Sequence, residues 1–150
     1  MRKKEREISD LKAIESIIER ANVCRLAMCE DGVPYVVPLC FGYEVGALYF
    51  HSATEGRKLE IMKDNPKVCF EMDIDWELVR SGDRCNMKYR SVIGNGHATL
   101  VAGTLDKRHA LDLIMRHYHQ EPFAYPEATL KRTAIIKVEI EGMTGKAYGY

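Results

Sequence analysis

The sequence predicts a mainly β protein, an antiparallel β-barrel with peripheral helices. Three observations carry this. Six β-rich runs recur along the 150 residues, and most are joined by short turns. Three segments with apolar residues at three- and four-residue spacing stand before, within and after the strand set. Hairpin-connected strands in that number close most economically into a small barrel.

Each element has a local cause. Ser9 or Asp10 can cap a first helix whose Leu11, Ile14, Ile17, Ile18 and Ala21 form one apolar face. Strands over 23–29 and 34–42 flank Glu30-Asp31-Gly32, and an Asp-Gly pair between such runs favours a tight hairpin turn. Glu44-Val45-Gly46 allows another turn before a strand over 47–51. The helix after Gly56 contains Leu59, Ile61 and Met62 and stops at Asn65-Pro66, because proline disfavours helical geometry in the residue before it.

A strand over 67–73 comes next. Over 74–87 the alternation fails around a lone Trp76 and a Ser81-Gly82-Asp83 turn, which reads as a long loop with short strand extensions. A long strand over 89–101 is interrupted by Gly94 and Gly96, a sign of a bulge or of close backbone approach. Thr104 is positioned to cap a helix containing Leu105, Ala110, Leu111, Ile114 and Met115. Pro122 and Pro126 break the next segment, and 133–140 alternates as a last core strand. Without repeats, low-complexity runs or linkers, residues 1–150 read as a single domain.

The composition excludes several function classes. Lys and Arg number 22 and so do Asp and Glu, so the net charge is zero and there is no global basic field to gather nucleic acid or anionic lipid. Any anion site must be local. Cys24, Cys29, Cys40, Cys69 and Cys85 form no CxxC pair, and their odd number fits a reducing compartment. The first four lie in stretches that read as buried strands, where cysteine acts as a small hydrophobe. No apolar run is long enough to span a bilayer, and MRKKEREISD lacks an apolar signal region, so a soluble cytoplasmic protein without membrane partners is expected. The basic start, Arg2, Lys3, Lys4 and Arg6 interleaved with Glu5 and Glu7, reads as solvated.

The stretch YFHSATEGRKLEIMKDNPKVCFEMD, residues 49–73, is the richest in chemistry. It sets a strand end, a hydroxyl-bearing turn and two cations at a helix start. Ser52 and Thr54 can donate hydroxyl hydrogen bonds, Gly56 admits close backbone approach, and Arg57 and Lys58 bring charge where helix amides lack partners. That is a phosphate-holding constellation. The plainer alternative is a capped helix with two solvated cations.

Taken with VCRLAMCEDGVPYVVPLCFGY, YRSVIGNGHATLV and IEGMTGKAYG, this block resembles the FMN-binding split-barrel proteins related to pyridoxamine 5′-phosphate oxidase, and among them the nitroimidazole-resistance branch. The resemblance implies a six-stranded antiparallel split β-barrel of Greek-key order. It also implies a homodimer with an FMN across each interface. By the same transfer, His51 and Ser52 meet the flavin phosphate and ribityl chain, and Arg57 and Lys58 clamp the phosphate, Lys58 being the more family-typical. Val36, Val37, Pro38 and Leu39 form the strand along the isoalloxazine ring. Ser91 and Val92 reach the flavin from another strand, and Lys146 lies in the TGK segment of this branch. The oxidase proper carries a further C-terminal arginine-rich segment with no counterpart before Tyr150, so vitamin B6 oxidation is not expected.

The implied function is an FMN-dependent oxidoreductase that passes electrons from a nicotinamide donor to a small acceptor such as a nitroaromatic, with His51 as the proton donor. The alternatives are a flavin-binding redox sensor or store without turnover, or the same barrel holding a deazaflavin or haem, with His51 or His97 as the axial ligand. No metal site is expected from His109, His117 and His119, which do not share a helix face. Cys40 reads as a packed thiol rather than a redox centre. Trp76 and Tyr89 fit either a ring-stacking or pocket-lining role or a core or dimer contact.

Overall fold

A computed structural model describes residues 3–150; Arg2, counted above in the basic start, lies outside them. A 3₁₀ turn at Lys4–Arg6 leads into β1 (Glu7–Ile8) and α1 (Leu11–Arg20). Asp10 caps α1, its Oδ2 accepting from the Ala13 amide at 3.0 Å. Next come β2 (Cys24–Glu30) and β3 (Val33–Leu39). The two-residue turn between them has Asp31 at φ 49° and Gly32 at φ 82°, the doubly positive geometry of a type I′ hairpin. After β4 (Gly42–Glu44) and β5 (Ala47–Ala53), α2 (Arg57–Asp64) ends before Asn65-Pro66 as proline requires. The chain closes with β6 (Lys67–Ser81), β7 (Arg84–Leu100), α3 (Thr104–His117), α4 (Glu127–Lys131) and β8 (Thr133–Tyr148).

All pairings are antiparallel, in the order β3-β2-β6-β7-β8-β5-β4, with β1 added to β8. The stretch β6-β7-β8-β5 is a Greek key. The sheet curls without closing and leaves β3 and β4 as edges, so the fold is a split barrel. Alternation sends Leu26, Phe70, Met72, Val92 and Val138 inward, where α1 adds Ile14, Ile17 and Ile18. Burying each of these isoleucines contributes about 1.5–3 kcal/mol. On the other face of β5 and β8, α3 packs Ala110 against Ala47, Tyr49 and Ile135.

Several expectations need correction. There are eight strands rather than six, because β1 and β4, of two and three residues, are too short to register as periodic runs. The predicted loop over 74–87 is the outer half of one long hairpin. β6 and β7 pair from Lys67↔His97 to Ser81↔Arg84, and a register shift between Ile74 and Glu77 hides the alternation. β8 runs to Tyr148 instead of stopping near Ile140. Thr104 is the first residue of α3, with Gly103 in the cap position, and α4 adds a helix the sequence did not reveal.

Of the four cysteines expected to be buried, only Cys24 is, and burial pushes its thiol up to about 12. Cys69 stands between inward-facing Val68 and Phe70 and so faces outward, and Cys40 follows the inward-facing Leu39 at the end of β3.

Both readings of the β7 glycines hold. The β7–β8 register shifts between Asn95 and Gly96. A Cβ on Gly94 would strike the tip of the Phe70 ring, and one on Gly96 would strike the Glu139 carbonyl.

Candidate functional site

The end of β5 and the start of α2 assemble one group. Ser52 faces inward opposite Ala134, is 8% exposed, and its Oγ has no hydrogen-bond partner. Buried hydroxyls normally have one, and Ser52 Oγ finds none within the chain. Gly56 adopts φ +131° at the N-cap of α2, a conformation closed to most residues, and supplies no side-chain cap. The first amides of α2 therefore have no partner within the helix and carry the positive end of its dipole.

Arg57 is anchored. Its Nε and Nη2 donate to Glu30 Oε2 at 3.3 and 3.0 Å, and its Cζ lies 4.7 Å from the centroid of the Tyr35 ring. This ties α2 to the β2–β3 hairpin. Lys58 is half-buried and has no ion pair among the described residues. His51 is exposed and points to the face opposite Ser52, since neighbours on a strand alternate. On β3, Val36 is 59% exposed and Pro38 faces the same way, whereas Val37 and Leu39 pack partly against the core.

A second group lies in the middle of the sheet. Ser91 on β7 is directly opposite Lys146 on β8, both on the outer face. Lys146 Nζ stands 5.4 Å from the centroid of the Tyr89 ring, and Lys146, aided by Arg6, holds the Tyr89 hydroxyl below the usual phenol range against the opposing effect of burial. Val92 is fully buried and paired with Met72 on β6 and Gly145 on β8, so its side chain is closed to a ligand.

The two groups are far apart in one chain. β8 carries Ile135 opposite His51 and Lys146 opposite Ser91, and the 11 residues from 135 to 146 amount to about 35 Å of strand. The residues expected to surround one ligand thus fall into two separate groups. Sequence reading missed Glu30 and Tyr35, which orient Arg57. Their only sequence signal is that each flanks a hairpin turn whose far side cannot be read locally.

A buried unpaired hydroxyl, an uncapped helix start and a free lysine suit an anionic cofactor group, so the residues fit the phosphate end of a flavin nucleotide. The fold and the site define an antiparallel split barrel with a basic helix start. A family model described as pyridoxamine 5′-phosphate oxidase matches residues 10–147, and the chain belongs to that family.

Among solved structures, a candidate 5-nitroimidazole antibiotic resistance protein from Bacteroides thetaiotaomicron is 38% identical. That alignment covers 94% of this chain and 86% of that one, with a TM-score of 0.88. An FAD-binding protein from Mesorhizobium loti is 28% identical over 96% of this chain and 98% of that one, with a TM-score of 0.72. An uncharacterized protein, RA0666, from Rhizobium meliloti (strain 1021) is 33% identical over 58 residues, which span 39% of this chain and 38% of that protein. Among the described residues, no helix is long and apolar enough to cross a membrane.

Proposed function

We propose that this protein is a cytoplasmic FMN-binding oxidoreductase that acts as a homodimer and carries electrons from a nicotinamide donor to a small acceptor, with nitroaromatics as the first class to try. The observation that carries the cofactor reading is Ser52 Oγ, buried and unpartnered five residues before the uncapped start of α2. Membership of the oxidase family supports a flavin, and the likeness to the Bacteroides protein supports the acceptor class.

In this reading Ser52 donates to the phosphate, the first amides of α2 and Lys58 neutralise it, and Glu30 with Tyr35 keeps Arg57 oriented at its edge. Val36, Val37, Pro38 and Leu39 form an edge-strand wall for the ring, and His51 holds a proton at the exposed strand end. Ser91, Val92 and Lys146 serve from the second half-site. Their separation along β8 supports a site completed by a partner chain, in which each flavin takes one half-site from either protomer. Bound FMN would supply the two-electron chemistry.

The test is the absorbance spectrum of freshly purified protein, followed by denaturation and chromatographic identification of the released compound. Released FMN is the expected result. Colourless protein that also fails to take up added FMN would end the flavin reading.

A further inference from the structure

Where the long β6–β7 hairpin meets β8, the neighbouring cations are matched by carboxylates. Arg20 and Arg90 both bond Asp75, Arg25 bonds Glu71 at 2.9 Å and Asp73 at 2.6 Å, and Lys88 lies 3.4 Å from Glu77. Arg6 and Lys146 break this pattern. Both are half-buried, and neither has an ion pair among the described residues.

These two cations converge. Tyr89 on β7 is directly opposite Tyr148 on β8 and Ser91 is directly opposite Lys146, so all four side chains stand on the outer face of the sheet. Arg6 Cζ lies 3.7 Å from the centroid of the Tyr148 ring, a stacking that fixes its guanidinium, and Lys146 Nζ lies 5.4 Å from the centroid of the Tyr89 ring. The Tyr148 hydroxyl is engaged with Asn86 Oδ1 at 3.3 Å, whereas the Tyr89 hydroxyl is the oxygen on which Lys146 and Arg6 both act. Two like charges gathered on one neutral hydroxyl repel each other, and charges withdrawn from water are ordinarily matched by a counter-charge.

The carboxylates nearest in the sheet do not supply one. Asp73, opposite Ser91 on β6, is taken by Arg25. Glu7, opposite Lys146 on β1, is exposed and has no ion pair among the described residues. Asp75 is held by Arg20 and Arg90. The cluster therefore has two cations, two hydroxyls and no bound anion group of its own.

We propose that Arg6, Tyr89 and Lys146, with Ser91 beside them, form a subsite for an oxyanion, a carboxylate or phosphate carried by the molecule that exchanges electrons with the flavin. This rests on the function proposed above, in which Ser91 and Lys146 serve the flavin site, and it deepens that reading by giving the reacting molecule a negative charge. Arg6 and Tyr89 then act on substrate binding, apart from the phosphate clamp at the start of α2.

The test follows Tyr89 directly, by nuclear magnetic resonance of the full chain labelled at tyrosine Cζ, with Tyr89→Phe to assign its signal and flavin content measured in the same samples. Inorganic phosphate, the first probe, should neutralise the two cations and so move ionisation of Tyr89 to higher pH. The dissociation constant read from that response should rise at least about tenfold in Arg6→Ala and in Lys146→Met, the loss of one charge-assisted contact. It should be unchanged in Lys58→Ala, which disables the helix-start group instead. Circular dichroism keeps the comparison to folded proteins. Displacement of phosphate by para-nitrobenzoate but not by nitrobenzene would assign the oxyanion to the acceptor, and displacement by NADH would assign it to the donor; either supports the subsite. No response of Tyr89 to phosphate, an unchanged dissociation constant in both cation variants, or phosphate that neither para-nitrobenzoate nor NADH displaces would overturn it. So would a response that disappears once FMN is bound, by giving the cluster to the flavin itself. A phosphate response in protein that takes up no FMN would leave the subsite standing and sink the cofactor reading; FMN uptake without a phosphate response would do the reverse.

Discussion

Arg57 is held by Glu30: two nitrogens of the guanidinium, Nε and Nη2, donate to the same carboxylate oxygen, at 3.3 and 3.0 Å. The adjacent Lys58 has no such tie. Two neighbouring cations at one helix start therefore do different work, one joining α2 to the β2–β3 hairpin and the other free to meet a ligand.

This difference predicts an order of effects. Lys58→Ala should weaken FMN binding by roughly ten- to a hundredfold, the scale of one charge-assisted hydrogen bond. Arg57→Ala should cost less in affinity, and as the loss of an exposed pair it should lower stability by about 1 kcal/mol or less. Fluorescence titration of flavin-stripped protein checks both. Equal losses would mean that Arg57 leaves Glu30 when the ligand arrives.

Ser52→Ala should have opposite signs with and without ligand. A buried hydroxyl without a partner costs about 1–3 kcal/mol, so its removal should raise the thermal midpoint of the flavin-free protein. The flavin-loaded variant should lack the bond proposed for Ser52, and its midpoint should gain less on adding FMN than the wild type does. Parallel thermal melts of the two forms read the crossing directly.

The two β7 glycines should respond differently to a compensating change. Gly94→Ala and Gly96→Ala should each destabilise by about 1–3 kcal/mol or more through overpacking. Phe70→Leu should recover part of the Gly94→Ala loss, because the nearest obstacle there is a side-chain ring, the Gly142 carbonyl being the other. It should do nothing for Gly96→Ala, where the obstacle is backbone. Urea midpoints of the singles and doubles decide this.

Asp75 gives a pH dependence. It sits in the β6 register shift at φ 56° and accepts hydrogen bonds from Arg20 and Arg90, which hold its carboxyl below the usual range, Arg20 first and against burial. The unfolded chain then binds the proton more readily, so stability rises with pH through this window. The contribution is complete above about pH 4 and disappears as pH falls through the lowered native value. Asp75→Asn should be less stable than wild type at neutral pH, and the gap should close as the pH falls below the ordinary carboxylate range.

Short-range elements were legible because their causes are local. The cap of α1, read as Ser9 or Asp10 and found at Asp10, the Asp31-Gly32 turn and the stop at Asn65-Pro66 all depend on a few adjacent residues. The outer half of the β6–β7 hairpin was not legible. A register shift at Asp75-Trp76 breaks the period, and residues 77–88 take their structure from each other across a turn rather than from any inward-facing pattern. Cys69 was misjudged for a related reason: a run of mixed polarity does not say which of its alternating faces meets the core.

The sequence alone determined that this is a mainly β chain of the oxidase family and that Ser52, Gly56, Arg57 and Lys58 gather at one strand end and helix start, since family blocks and a helix-start pattern are written in consecutive residues. Only the tertiary structure decided that His51 and Ser52 face opposite ways, that Glu30 and Tyr35 orient Arg57, and that Ser91 and Lys146 lie about 35 Å along β8 from the helix-start group. Those relations are set by strand pairing between residues distant in sequence, where register fixes which side chains share a face and a neighbourhood.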